Sequence, residues 1–169
     1  MSDLSLKAAK ESKVDFAQCL SDGTREIFTT MLMADVAGGN PWDRSPEEFD
    51  RDLTSMVGMA GGCRGLVAIH CPKQVALGVT GFLLGMDVED FGEDVFDAMG
   101  EFANMLAGIV KAELSARGLE VSLAIPSVVT GPDYSVDSSI EGENVALCFE
   151  TDHGPFLVEL QLEGSAVAA

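Results

Sequence analysis

The sequence predicts an α+β fold in which an antiparallel sheet packs with long helices. Strand-like segments come in runs joined by hairpin signals, helical segments separate those runs, and residues 93–117 carry the strongest helical period in the chain. A doubly wound parallel sheet would instead alternate strand and helix throughout.

Taken in order, residues 13–33 place Val14, Ala17, Leu20, Ile27, Phe28, Met31 and Leu32 at helical spacing, with Gly23 interrupting the pattern. Ala37 to Pro46 is rich in Gly and Pro and reads as a loop. Leu53–Ala60 and Gly65–Cys71 are extended stretches flanking Gly61 and Gly62, a hairpin signature. Pro72 suits a helix start, and Val75–Leu84 reads as a short helix stopped by Gly85. Asp87 to Gly92 is an acidic turn. The segment 93–117 opens with Glu93 and Asp94, carries Lys111 and Arg117 late, and stops at Gly118, an order that suits the helix dipole and a glycine C-cap. Three strands follow by pattern: Leu119–Ile125, Val145–Thr151 and Phe156–Leu162. A polar loop, Gly131 to Asn144, separates the first two, and His153-Gly154 turns the last hairpin.

The chain has 169 residues, 47% of them hydrophobic, which suits one domain over 1–169 with an ordered core at about 13–162 and flexible ends at 1–12 and 163–169. Its 28 Asp and Glu against 10 Lys and Arg leave a formal charge of −18. Such a field repels phosphate backbones and anionic lipid, so neither nucleic acid nor a membrane is the expected partner. It favours a partner with a positive patch, and it is equally an ordinary route to solubility. No apolar run is long enough to span a bilayer, and the polar start, Met1 to Glu11, does not read as a signal peptide. Cys19, Cys63, Cys71 and Cys148 form no CxxC pattern, and His70 and His153 lack metal-ligand spacing. A reduced, cytoplasmic chain without a metal of its own is expected.

The long helical segment is the informative one. At about 100° per residue, Val95, Phe96, Ala98, Met99, Phe102, Ala103, Met105, Leu106, Ala107, Ile109, Val110 and Leu114 span an arc of roughly 200°. The remaining narrow stripe holds Glu93, Asp94, Asp97, Glu101, Asn104, Gly108, Lys111 and Ser115, stacked at i+3 or i+4. Asn104 is a weak helix former in a mid-helix position, where it is neither a cap nor a solubilising charge. Gly108 leaves the stripe bare one turn further on, where another backbone can approach.

The run Asp97-Ala98-Met99-Gly100-Glu101-Phe102-Ala103-Asn104 resembles the signature of the CheC/CheX family of chemotaxis phosphatases. In that signature an Asp or Ser, three residues, a Glu, two residues and an Asn precede a Pro some two dozen positions on, here Pro126. Asn104-Met105-Leu106-Ala107-Gly108 and Ala124-Ile125-Pro126 continue the likeness. The single motif near the middle of the chain is closer to CheX than to two-site CheC. The family's fold, two pseudo-symmetric halves, is the implied architecture. Asp22, Glu26 and Thr29 repeat the motif's spacing 75 residues upstream with Thr in the Asn position, either a structural echo of such a half or a coincidence.

The resemblance implies a phosphatase for a CheY-type response regulator carrying an aspartyl phosphate. Asn104 would orient the attacking water and Glu101 would pair with the regulator's active-site Lys. Asp97 would support Glu101, touch a basic rim of the partner, or serve as a helix-start charge. Gly108 and Lys111 would lie on the docking face, and Pro126 would shape the strand end beside it. The expected Mg²⁺ belongs to the regulator. A homodimer through sheet edges is also implied, with the last hairpin, Val145 to Leu162, as the expected edge. The alternative reading is a non-catalytic regulator-binding or flagellar-switch-like module. No G-x-S-x-G, P-loop or HExxH spacing supports conventional hydrolase chemistry.

Overall fold

The computed structural model describes residues 15–164, so the expectations for 1–12 and for the last five residues fall outside it. Helix α1, Phe16–Ile27, starts at Asp15, whose carboxylate accepts the Gln18 N–H at 3.0 Å. It runs on into a wider π turn, Phe28–Leu32, which Met33 ends in the left-handed region at φ 52°. Strand β1, Ala37–Pro41, follows, then the hairpin β2, Leu53–Gly61, and β3, Gly65–Cys71. Helix α2, Lys73–Leu84, begins after Pro72 and is closed by Gly85 at φ 66°. Helix α3, Glu93–Ala116, is the long one. Two short strands, β4 (Val121–Leu123) and β5 (Ser127–Thr130), precede the closing hairpin β6 (Gly142–Thr151) and β7 (Gly154–Glu163).

The strands form one antiparallel sheet in the order β1-β6-β7-β3-β2, with β4 and β5 lying end to end along the outer side of β2. Three expectations are corrected. Ala37 to Pro46 is not wholly loop: its first five residues pair with β6 as an edge strand, where Pro41 and the positive φ of Gly38 and Gly39 are tolerated because only one side is bonded. The last hairpin is not an edge, since β6 pairs with β1, and β7 lies between β6 and β3. Glu163 is not a loose end: it closes β7, and its carboxylate accepts the Arg64 N–H at 3.0 Å.

Alternation along the strands divides the sheet into two faces. Leu53, Val57, Met59, Val67, Ile69, Cys71, Phe156, Val158, Leu160 and Leu162 point to the helices and build the core. At its centre Phe28, Phe102, Phe149 and Phe156 meet ring to ring at 5.3–5.8 Å. The opposite face carries a buried polar chain. Thr54 Oγ1 meets His70 Nδ1 at 2.8 Å and the Tyr134 hydroxyl at 2.7 Å, while His70 Nε2 meets Glu159 Oε2 at 2.8 Å. Arg51 donates to the Tyr134 carbonyl, and Ser138 is hydrogen-bonded to Gln161, so the predicted polar loop is a strap tied across this face.

Candidate active site

Helix α3 positions the site. Glu93 and Asp94 occupy its first turn, favourable beside the positive end of the helix dipole. Its far end closes as a Schellman motif: Gly118 N–H donates to Ser115 O at 2.9 Å and Leu119 N–H to Leu114 O at 2.9 Å, with Gly118 at φ 81°. Val95, Ala98, Met99, Phe102, Ala103, Leu106, Ala107, Val110 and Leu114 are buried as the period predicts, while Phe96, Met105 and Ile109 are half-buried flanks of the arc.

Burial of Phe102, 1% exposed in the four-ring cluster, fixes the rotation of the helix about its axis. That rotation turns Glu101 outward to solvent and leaves Asn104, one turn on, half-buried at the edge of the same face. Among the described residues no hydrogen bond or ion pair ties either side chain. Asp97 is exposed one turn before Glu101. Gly108 faces open space, with nothing within 4 Å of where a Cβ would stand. Lys111 is half-buried on the same stripe, roughly 15 Å along the axis from Glu101.

Pro126 comes to this face from the edge of the sheet. Leu123 pairs with Met59 and Ser127 with Met56, so four steps on the outer line oppose three on β2. The extra residue makes a bulge within Ala124–Pro126, a position where the missing N–H of Pro126 costs no ladder bond. The bulge presses Pro126 against Gly100, a helix residue buried there and not singled out in the sequence. Between helix and bulge lies a groove of about 490 Å³ lined by Phe96, Asp97, Gly100, Glu101, Ile125, Pro126 and Val128. Asp97, Glu101 and Pro126 thus meet in one place, Asn104 and Gly108 extend it along the helix, and Lys111 lies beyond it.

The upstream echo is built differently. Asp22 and Glu26 are exposed on α1, but Asp22 accepts from the Gln18 amide at 2.7 Å. Thr29 stands in the π turn with its hydroxyl donated to the Arg25 carbonyl at 2.9 Å. Gly23 is buried where α1 crosses α3: a Cβ there would stand 2.9 Å from Ile109 Cδ1.

The four thiols are free. Burial first, then the charges of Glu113 and Asp22, push the Cys19 thiol up to about 11, and burial pushes the Cys71 thiol well above the ordinary range. Neither is a nucleophile at neutral pH.

The site therefore offers two exposed acids, Asp97 and Glu101, and a half-buried amide, Asn104, on one face of a helix beside a groove whose other lining is largely apolar. Known proteins share the fold that carries it. The chain is 31% identical over 114 residues to the CheY-P phosphatase CheX of Thermotoga maritima, covering 67% of this chain and 74% of that one. Its fold matches the chemotaxis protein CheX of Desulfovibrio desulfuricans with a TM-score of 0.77 at 31% identity, over 89% of this chain and 100% of that chain. A CheC-like superfamily protein from Shewanella sp. PV-4 matches with a TM-score of 0.79 at 28% identity, over 89% of this chain and 99% of that chain. The family model described as "Chemotaxis phosphatase CheX" matches residues 53–150, a span that runs from β2 through α3 and the bulge into β6, so the chain belongs to the CheX family.

Proposed function

We propose that the chain accelerates dephosphorylation of a CheY-type response regulator, with Asn104 and Glu101 as the working pair. The observation that carries this reading is the placement of both side chains on one face of α3, one turn apart, Glu101 exposed and Asn104 half-buried at its edge, neither tied by a hydrogen bond among the described residues. A relative 31% identical is a CheY-P phosphatase, which supports the substrate class.

In the proposed reaction water attacks the phosphorus of the aspartyl phosphate. The bond from phosphorus to the acyl oxygen breaks, leaving inorganic phosphate and a free aspartate carboxylate. An acyl phosphate is already labile, so the catalyst has to place the water in line and organise charge. The Asn104 amide suits the first task because it donates and accepts hydrogen bonds without changing the charge of the site. Glu101 pairs with the regulator's active-site Lys and so sets the depth and angle at which Asn104 enters. Mg²⁺ held by the regulator supplies charge neutralisation at the phosphoryl oxygens. Asp97 adds negative charge at the rim, where a basic surface would meet it. Pro126, held by the bulge, keeps the edge of the sheet beside the helix.

The test is phosphate release from a regulator charged with acetyl phosphate, with and without the chain. Asn104→Ala is expected to keep binding and lose at least roughly tenfold in rate, while Glu101→Ala also weakens docking. Rates equal to the unaltered chain for both variants would reject the assignment. If the chain binds the phosphorylated regulator yet never speeds phosphate release, the binding-module reading replaces this one. For self-association, the free edges of the sheet are β1 and the β4–β5 line. A homodimer built by strand pairing would form there, and sedimentation velocity at micromolar concentration tests it.

A further inference from the structure

We infer that Ile125 is a docking and specificity residue for the regulator, inserted into an apolar patch next to the regulator's active-site lysine. The inference rests on the reading of Glu101 and Asn104 above. Ile125 is a large aliphatic residue left 87% exposed, although its neighbours on both sides are held in place. Leu123 is fixed by pairing with Met59, Ser127 by pairing with Met56, and the Ala124 N–H by donation to Gly58 O at 2.8 Å.

The bulge explains where Ile125 points. Leu123 and Val128 both pack toward the core although they are five residues apart, which regular alternation forbids. The extra residue reverses the phase between them. Ala124 stays on the opposite face, where Gly58 lies beneath it, while Ile125 and Pro126 both fall on the side of α3. Pro126 is pressed against Gly100 there. Ile125 lines the same groove as Glu101 and stays exposed there. An exposed aliphatic side chain on a rigid bulge loses little freedom on docking, which favours it as an anchor.

The surroundings select the occupant. The rim carries the carboxylates of Asp97 and Glu101, and the floor is Phe96, Pro126 and Val128. Such a groove takes an apolar group with a cation beside it. A receiver domain that hands its lysine to Glu101 brings the residues adjoining that lysine onto Ile125. The acid would then take the charge, and Ile125 the shape of the apolar surface beside it.

Steady-state phosphate release from an acetyl-phosphate-charged CheY-type regulator, together with binding of the same regulator charged with beryllofluoride, tests this. Ile125→Ser is expected to raise KM and Kd roughly tenfold, the scale set by one aliphatic side chain that no longer buries itself in the partner, while kcat stays within about twofold. Ile125→Val is expected to restore most of the affinity. Met33→Ser, an equally exposed apolar residue outside the groove, should change neither constant. Unaltered KM and Kd in Ile125→Ser, beside an active parent chain that Asn104→Ala silences, would overturn the role of Ile125 alone. A fall in kcat at constant KM would also overturn it. A parent chain with no effect on phosphate release would instead remove the reading beneath it, and the inference with it.

Discussion

Gly100 of α3 packs against Pro126 of the bulge so closely that a Cβ on the glycine would stand 3.4 Å from the proline Cβ and 3.9 Å from Val128 Cγ2. A methyl group there would make ordinary van der Waals contact, whereas a branched side chain would have to share the space with Pro126 and Val128. Gly100→Ala is expected to stabilise the chain by about 0.5–1 kcal/mol, the ordinary gain of alanine over glycine within a helix. Gly100→Leu should displace the bulge and lower phosphatase activity. Urea unfolding and phosphate release on both variants check the pair of outcomes.

The four-ring cluster makes Phe102 the pin that turns Glu101 outward. Phe102→Ala is expected to cost about 3–5 kcal/mol, and Phe102→Leu markedly less. Denaturant midpoints measure the loss. Activity should fall with Phe102→Ala even in the fraction that remains folded, because the helix can then rotate.

Burial pushes the Glu159 carboxyl up, but hydrogen bonds from His70 and Gln161 outweigh it and hold the group below its ordinary 4.5. A carboxyl with a lowered folded value stabilises the fold fully above the unfolded value and loses that contribution as pH falls through the folded one. Glu159→Gln should therefore be less stable than the parent chain near pH 7, with the gap closing below about pH 4. Urea midpoints taken from pH 7 to pH 3 decide it. A gap that widens toward acid would contradict the assigned direction.

Docking onto a partner with a basic patch should depend on salt, given a net charge of −18. The association rate with a phosphorylated regulator is expected to fall roughly tenfold between low and 0.5 M salt, with the dissociation rate little changed. Stopped-flow binding separates the two rates.

Much of this was legible in the sequence because it is periodic. Helix α3 and the β2–β3 hairpin each repeat one pattern over many residues, and the acid and amide of the stripe stand out against it. The strands β1 and β5 were not legible, for different reasons. Ala-Gly-Gly-Asn-Pro has a loop's composition and is extended only because β6 offers it an edge. Ser127–Thr130 is separated from Val121–Leu123 by a bulge containing a proline, which local pattern reads as an end. Gly23 looked like an interruption, yet it is the crossing point of two helices. The chain of Thr54, His70 and Glu159 spans 89 residues between its last two members and depends on strand register. Its only trace in the sequence is polar residues at alternate strand positions, which water would ordinarily meet.

The pinning of α3 by Phe102 has a kinetic consequence. Phe102 packs edge-on against Phe28 and Phe156, and the helix is closed at its end by Gly118, so among the described residues the face that bears Glu101 belongs to a continuous helix with no break in it. The proposed turnover would then be governed by how often two rigid bodies collide in register and how soon they part. Thickening the solvent with sucrose should slow it in proportion, as it would not slow a catalyst waiting on its own rearrangement.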